Sequence, residues 1–137
     1  MQNKHVQIFT DGGARGNPGP SAAAAVIQDT AGSVLATAAE YMPHATNNQA
    51  EYTAILIGLE KAKEMGGVEE VEMFMDTELA VKQLKGEYKV KNPVLAKLFV
   101  KVWNLTHEFK SVSFTHVRRE HNKEADALVN KTIDANL

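Results

Sequence analysis

Residues 5–40 read HVQIFTDGGARGNPGPSAAAAVIQDTAGSVLATAAE. The order of strands and loops in this stretch decides the fold. His5 to Thr10 alternates and is rich in strand formers, which predicts a first strand ending at Asp11. Asp11 to Pro20 packs four glycines and two prolines into ten residues, which predicts a shaped loop. Ala22 to Gln28 reads as a second strand despite its alanines, Asp29-Thr30-Ala31-Gly32 as a turn, and Val34 to Glu40 as a third strand. The connections are short, so the three form an antiparallel meander.

Next, Thr46-Asn47-Asn48 offers helix N-caps, with Gln49 or Glu51 placed as the third residue of a capping box. A long helix is predicted over residues 48–65, with an apolar stripe of Ala54, Ile55, Gly58, Leu59, Ala62 and Met65; Gly66-Gly67 stops it. Val71 to Met75 is a fourth strand ending at Asp76, followed by a short helix over 77–84 and a polar connection. Asn92-Pro93 starts a third helix, Val94 to Leu105. Val112 to Val117 is a fifth strand, Arg118 to Asn122 a polar loop, and Lys123 to Ala135 a last helix. The long helix returns the chain, so strand four lies parallel to strand one, and strand five parallel to strand four. The fold class is α/β: a five-stranded mixed sheet, three antiparallel strands then two parallel, flanked by helices on both faces.

The 137-residue length suits one domain, taken as residues 1–137. A hydrophobic fraction of 44% and a charged fraction of 23% exclude a disordered or fibrous chain. The absence of cysteine excludes a disulfide scaffold, a thiolate nucleophile and a zinc site built on Cys. No signal-like region precedes the first strand, and no stretch approaches the roughly 20 apolar residues of a membrane span, so a cytoplasmic protein with no membrane partner is expected. Fifteen basic against 17 acidic residues give a net charge of -2, which disfavours nucleic-acid binding through bulk positive charge.

Four acids stand where a fold would not want them. Asp11 and Asp76 end two strands predicted to be parallel neighbours, so both emerge at the sheet edge where open α/β sheets bind ligands. Glu51 tops the apolar stripe of the long helix, and Asp126 precedes Val129 and Ile133 on one face of the last helix. Each has a bland alternative as a turn residue, a cap or a complement to the helix dipole. Together they cluster at one end of one sheet. Clustered carboxylates raise one another's pKa values, and an all-oxygen set favours Mg²⁺ or Mn²⁺ as the remedy. Removing these four acids from the balance leaves 13 against 15 basic residues, so the net charge does not speak against a nucleic-acid substrate.

The segments TDGGARGNPGP (10–20), TNNQAEY (46–52), MDTELAV (75–81) and HVRREHNKEADAL (116–128) resemble the motifs of type 1 ribonuclease H, in that family's order and approximate spacing. The short connection after the second helix resembles the compact branch of the family that lacks a basic protrusion. The resemblance implies a ribonuclease H-like catalytic domain. Its activity would be metal-dependent endonucleolytic hydrolysis of the RNA strand of RNA/DNA hybrids, leaving 5′-phosphate and 3′-hydroxyl ends. It also implies two Mg²⁺ ions per site, with Mn²⁺ a possible substitute, and no obligate protein partner. The family's four acids fall on Asp11, Glu51, Asp76 and Asp126. A non-catalytic hybrid-binding module, or a related metal nuclease acting on another nucleic acid, is the alternative.

A hybrid is read through 2′-hydroxyls in a wide minor groove, which calls for neutral hydrogen-bonding groups. Gly12 and Gly13 permit close backbone approach, and Asn17, Asn47, Asn48 and Gln49 fall on positions where the family contacts the hybrid; helix capping is the alternative for the asparagines. Lys89 and Lys91 flank the polar connection as candidates for phosphate contact, whereas Lys97 and Lys101 read as a solvated helix surface. The family often places a mobile histidine before the last acid to assist product release. His116, ten residues before Asp126, fits that offset, although a packed strand residue is the other reading; His121, Arg118 and Arg119 are alternatives near the leaving phosphate.

Overall fold

A computed structural model describes residues 4–137. Its elements run β1 (His5–Ala14), β2 (Gly19–Gln28), β3 (Val34–Ala45), α1 (Asn47–Met65), β4 (Glu70–Met75), α2 (Glu78–Leu84), α3 (Pro93–Thr106), β5 (Ser111–His116) and α4 (Lys123–Ala135). The strands form one sheet in the order β3-β2-β1-β4-β5. β1 pairs antiparallel with β2 and β2 with β3, whereas β4 lies parallel to β1 and β5 parallel to β4. This is the predicted mixed sheet.

Helices pack on both faces of the sheet. Val6 and Ile8 of β1, Ala25 and Ile27 of β2, and Val71 and Met73 of β4 are buried with Ile55 and Leu59 of α1. The opposite face of β2 presents Ala22 and Ala24 to Val129 and Ile133 of α4. A strand buried on both sides has room only for small side chains where helices press closest, which explains the run Ala22–Ala25. Gly58 serves the same end: a Cβ there would stand 3.1 Å from Ile8 and 3.2 Å from Ala25.

Three strands run three or more residues beyond their predicted bounds: β1, β3 and β2, which starts at Gly19 instead of Ala22. β1 continues through Asp11, Gly12 and Gly13, which pair with Ala24, Ala23 and Ala22, so the loop shrinks to residues 15–18. Glycine weakens a strand but does not forbid one, and here the pairing partner is already in place. β3 continues through Pro43 to Ala45. An edge strand tolerates a proline because its outward N–H has no ladder partner to lose. A 3₁₀ turn, Arg119–His121, replaces part of the predicted polar loop. Among the described residues no helix is long and apolar enough to cross a membrane.

Candidate active site

The parallel pairing of Thr10 with Met75 sets Asp11 and Asp76 side by side where the pairing of β1 with β4 ends. Glu51 reaches them because α1 rests directly on β1. A Cβ at Gly12 would stand 2.3 Å from the Ala50 carbonyl carbon and 2.4 Å from the Glu51 nitrogen. Only glycine lets the first turn of α1 sit there. Gly12→Ala is therefore expected to push α1 off the strand, lowering stability by about 1–3 kcal/mol in thermal denaturation. Gly13→Ala is the matched control, because its Cβ would meet Val129 at an ordinary 3.6 Å.

The start of α1 is itself pinned. Thr46 caps it, accepting from the Gln49 backbone N–H at 3.1 Å while the Gln49 side chain accepts from the Thr46 N–H at 2.8 Å. The Asn47 side chain accepts from the Ala14 N–H at 2.8 Å, and the Asn17 side chain accepts from the Asn47 N–H at 3.0 Å. Of the predicted substrate contacts, Gln49 and Asn17 thus spend their side-chain oxygens fixing the loop and the helix. Asn47 lines the cleft and Asn48 is exposed.

All four acids line one cleft of about 480 Å³, together with Gly12, Gly13, His116 and Arg119. Lys89 and Lys91 do not line it; they are exposed on the connection between α2 and α3. Burial pushes the Asp11 carboxyl up to about 8, reinforced by the charges of Asp76 and Asp126 and by hydrogen bonding with Asp126. Glu51 is pushed up to about 7, first by burial and then by Asp76, against a hydrogen bond from Thr77 that favours its charged form. Arg119 approaches Asp126 at 3.4 Å, but with its side chain 77% exposed the pair is screened and weak.

These carboxylates share a cleft without closing into a ligand cage. Among the described residues, no three His, Asp or Glu side chains are grouped tightly enough to hold a metal ion as they stand. The chemistry of the set nevertheless fits a hard divalent cation: the donors are all oxygen, and two of the carboxyls are buried where their own charge is disfavoured without a counterion.

His116 is the last residue of β5, paired with Met75, and it is exposed at the cleft beside Glu78. The reading of a packed strand histidine is thereby corrected: His116 stands at the end of the edge strand β5, past the packed Val112 and Phe114, and is exposed. His121 lies in the 3₁₀ turn and does not line the cleft. Sequence reasoning missed Arg15, which lines the cleft and bonds to Asp134 at 2.5 Å and Asn130 at 3.3 Å on α4. It also missed Thr77, which supports Glu51, and Asn122, which is buried at the start of α4. Their partners are far away in sequence, and no local pattern reveals them.

The family model described as reverse transcriptase-like matches residues 9–132. The crystal structure of RNase H1 from the archaeon Halobacterium salinarum superposes with a TM-score of 0.92 at 38% identity, covering 96% of this chain and 98% of that one. The chain belongs to the type 1 ribonuclease H family. The N-terminal RNase H domain of a bifunctional Mycobacterium tuberculosis protein also matches, with a TM-score of 0.92 at 40% identity over 96% of this chain and 94% of that domain. LC11 RNase H1, solved in complex with an RNA/DNA hybrid, matches at 43% identity with a TM-score of 0.91, covering 96% and 98% of the two chains. The chain spans 36% of the length of the full mycobacterial protein and 64% of the Halobacterium ribonuclease HI sequence.

Proposed function

We propose that this ribonuclease H-family chain is a single catalytic domain that hydrolyses the RNA strand of RNA/DNA hybrids. In this reading it acts endonucleolytically in the cytoplasm, leaves 5′-phosphate and 3′-hydroxyl ends, and needs no obligate protein partner. The observation that carries the proposal is the meeting of Asp11, Glu51, Asp76 and Asp126 in one cleft, with Asp11 and Glu51 unable to carry their charges comfortably alone. The four would hold two divalent cations, Mg²⁺ or in substitution Mn²⁺. When bound, these would polarise the scissile phosphate and make water a nucleophile at neutral pH. The likeness to a relative solved with an RNA/DNA hybrid supports the choice of substrate.

The chain's own residues supply position and proton traffic. Asp11, between Asp76 and Asp126, bridges the two halves of the site. Gly12 and Gly13 offer backbone that a sugar edge can approach without meeting a side chain. Asn47 presents its amide N–H₂ to the cleft, since its oxygen is already engaged. Arg119 and, more remotely, Lys89 and Lys91 supply cationic contacts to phosphates along the duplex. His116, exposed at the mouth, gives a proton to the departing 3′ oxygen or helps the product leave. His116→Ala should therefore lower kcat by roughly 10²-fold with KM for hybrid little changed, whereas His121→Ala leaves turnover alone. Steady-state kinetics on one hybrid check both.

The reading is tested by labelling each strand of a hybrid in turn and typing the new ends. Internal cuts confined to the RNA strand, with 5′-phosphate ends, are expected. DNA-strand cuts, exonucleolytic trimming or 3′-phosphate ends would overturn it.

A further inference from the structure

The side chain of Asn122 is almost fully buried, at 1% exposure, although it opens α4 next to an exposed 3₁₀ turn. Its amide Nδ2 donates to the backbone carbonyl of Thr10 at 2.8 Å, across 112 residues of sequence. Its own carbonyl accepts from the Asp126 N–H at 3.1 Å, and its N–H donates to the Arg119 carbonyl at 2.9 Å. One residue therefore joins the strand that carries Asp11 to the helical turn that carries Asp126. The Lys4 carbonyl accepts from Glu70, so by the two-residue alternation of a strand the Thr10 carbonyl faces β4, where that strand gives way to Asp76. Asn122 thus sits beneath three of the four acids.

The Asn122 Oδ1 is buried with no hydrogen-bond partner among the described residues. An unpartnered buried amide oxygen lowers stability, and an apolar residue of similar size would remove that penalty. A polar side chain held there at a loss, with its one good bond spent on Thr10, is explained by what that bond positions. The ion pair from Arg119 pulls on Asp126 from the solvent side but is too exposed to fix it.

We propose that Asn122 is a positioning residue that sets the Asp11–Asp126 separation and thereby the cleft's affinity for divalent cations. The proposal rests on the metal-dependent reading of the cleft. Groups that orient metal-binding side chains typically change metal affinity by about 10- to 100-fold when removed, without touching the ion. Asn122→Ala removes the bond to Thr10. Asn122→Asp keeps the shape and adds a charge that would by itself draw cations in, so a loss of affinity there isolates the missing amide donor.

The test is a Mg²⁺ titration of the melting temperature of the full chain, with no substrate present, read beside kcat and KM for hybrid. Val102→Ala in α3, buried far from the cleft, serves as a destabilised control. Both Asn122 variants should need at least about tenfold more Mg²⁺ for the same rise in melting temperature, with KM for hybrid unchanged at saturating Mg²⁺. The Val102 control should melt lower at every concentration yet rise with Mg²⁺ as the wild type does. A wild-type Mg²⁺ dependence in the Asn122 variants would overturn this proposal alone, as would a control whose Mg²⁺ requirement rises as far as theirs. A wild-type chain whose melting ignores Mg²⁺ would overturn the metal-dependent reading and this proposal with it.

Discussion

Asp11→Asn is expected to lower Mg²⁺-dependent cleavage of RNA/DNA hybrid by at least roughly a thousandfold while leaving the fold intact. The size follows from what the carboxylate does. Cation stabilisation of a reacting phosphate is worth several kcal/mol, and each 1.36 kcal/mol is about tenfold in rate. Asp11 is the carboxyl that feels both Asp76 and Asp126, so no other acid can substitute for it as the link between the two sides of the cleft. Asparagine keeps the size and the strand geometry, and the backbone pairing of residue 11 with Ala24 does not depend on the side chain. Circular dichroism should be unchanged. Activity within tenfold of wild type would remove Asp11 from the proposed chemistry.

The same substitution is expected to stabilise the protein when divalent cations are chelated. Asp11 has an ordinary pKa of 3.8 but in the folded chain is raised to about 8, and Glu51 is raised from 4.5 to about 7. As pH rises from 4 to 8, the unfolded chain gives up these protons early and the folded chain keeps them. The folded state then binds more protons, so its stability falls across that window. Each tenfold change in proton affinity is worth about 1.4 kcal/mol, which makes the loss on the order of a few kcal/mol. In EDTA the wild-type melting temperature should decline from pH 5 to pH 8, and Asp11→Asn should flatten the decline and melt roughly 5–10 °C higher at pH 8. Mg²⁺ should recover the wild type and not the variant. A wild-type curve that is flat or rising in EDTA would contradict the burial and mutual repulsion of charge inferred at the cleft.

Much of this was legible in the sequence because the strongest signals are local. The apolar stripe of α1 repeats every three or four residues, and its stop at Gly66 and the cap at Asn92 are each a matter of a few neighbouring residues. The strand order followed from the length of the connections, and the placing of Asp11 beside Asp76 followed from that order. The failures were of another kind. Counting glycines made Asp11–Ala14 a loop, because composition cannot show that β2 already offers a partner or that α1 needs the space above Gly12. His116 was harder still. Its exposure depends on β5 being the last strand of the sheet, which no residue near it announces. The contacts that hold the site together, Asn122 to Thr10 and Arg15 to Asp134, each span more than a hundred residues.

The cleft's charge also changes how the overall balance of -2 is understood. The acids are concentrated where cations would neutralise them, so in the proposed reaction the binding of a polyanion and of metal should be coupled. Hybrid affinity should consequently fall on chelation, more steeply than bulk screening by monovalent salt would account for.

The most direct test of the central claim offers the protein four labelled substrates at equal concentration, each with Mg²⁺ and with EDTA: RNA/DNA, RNA/RNA, DNA/DNA and single-stranded RNA. Cleavage of the RNA/DNA hybrid in Mg²⁺, none in EDTA, and little or none of the other three in either condition is the predicted result. Hybrid that survives in Mg²⁺, or is cut equally well in EDTA, would contradict it.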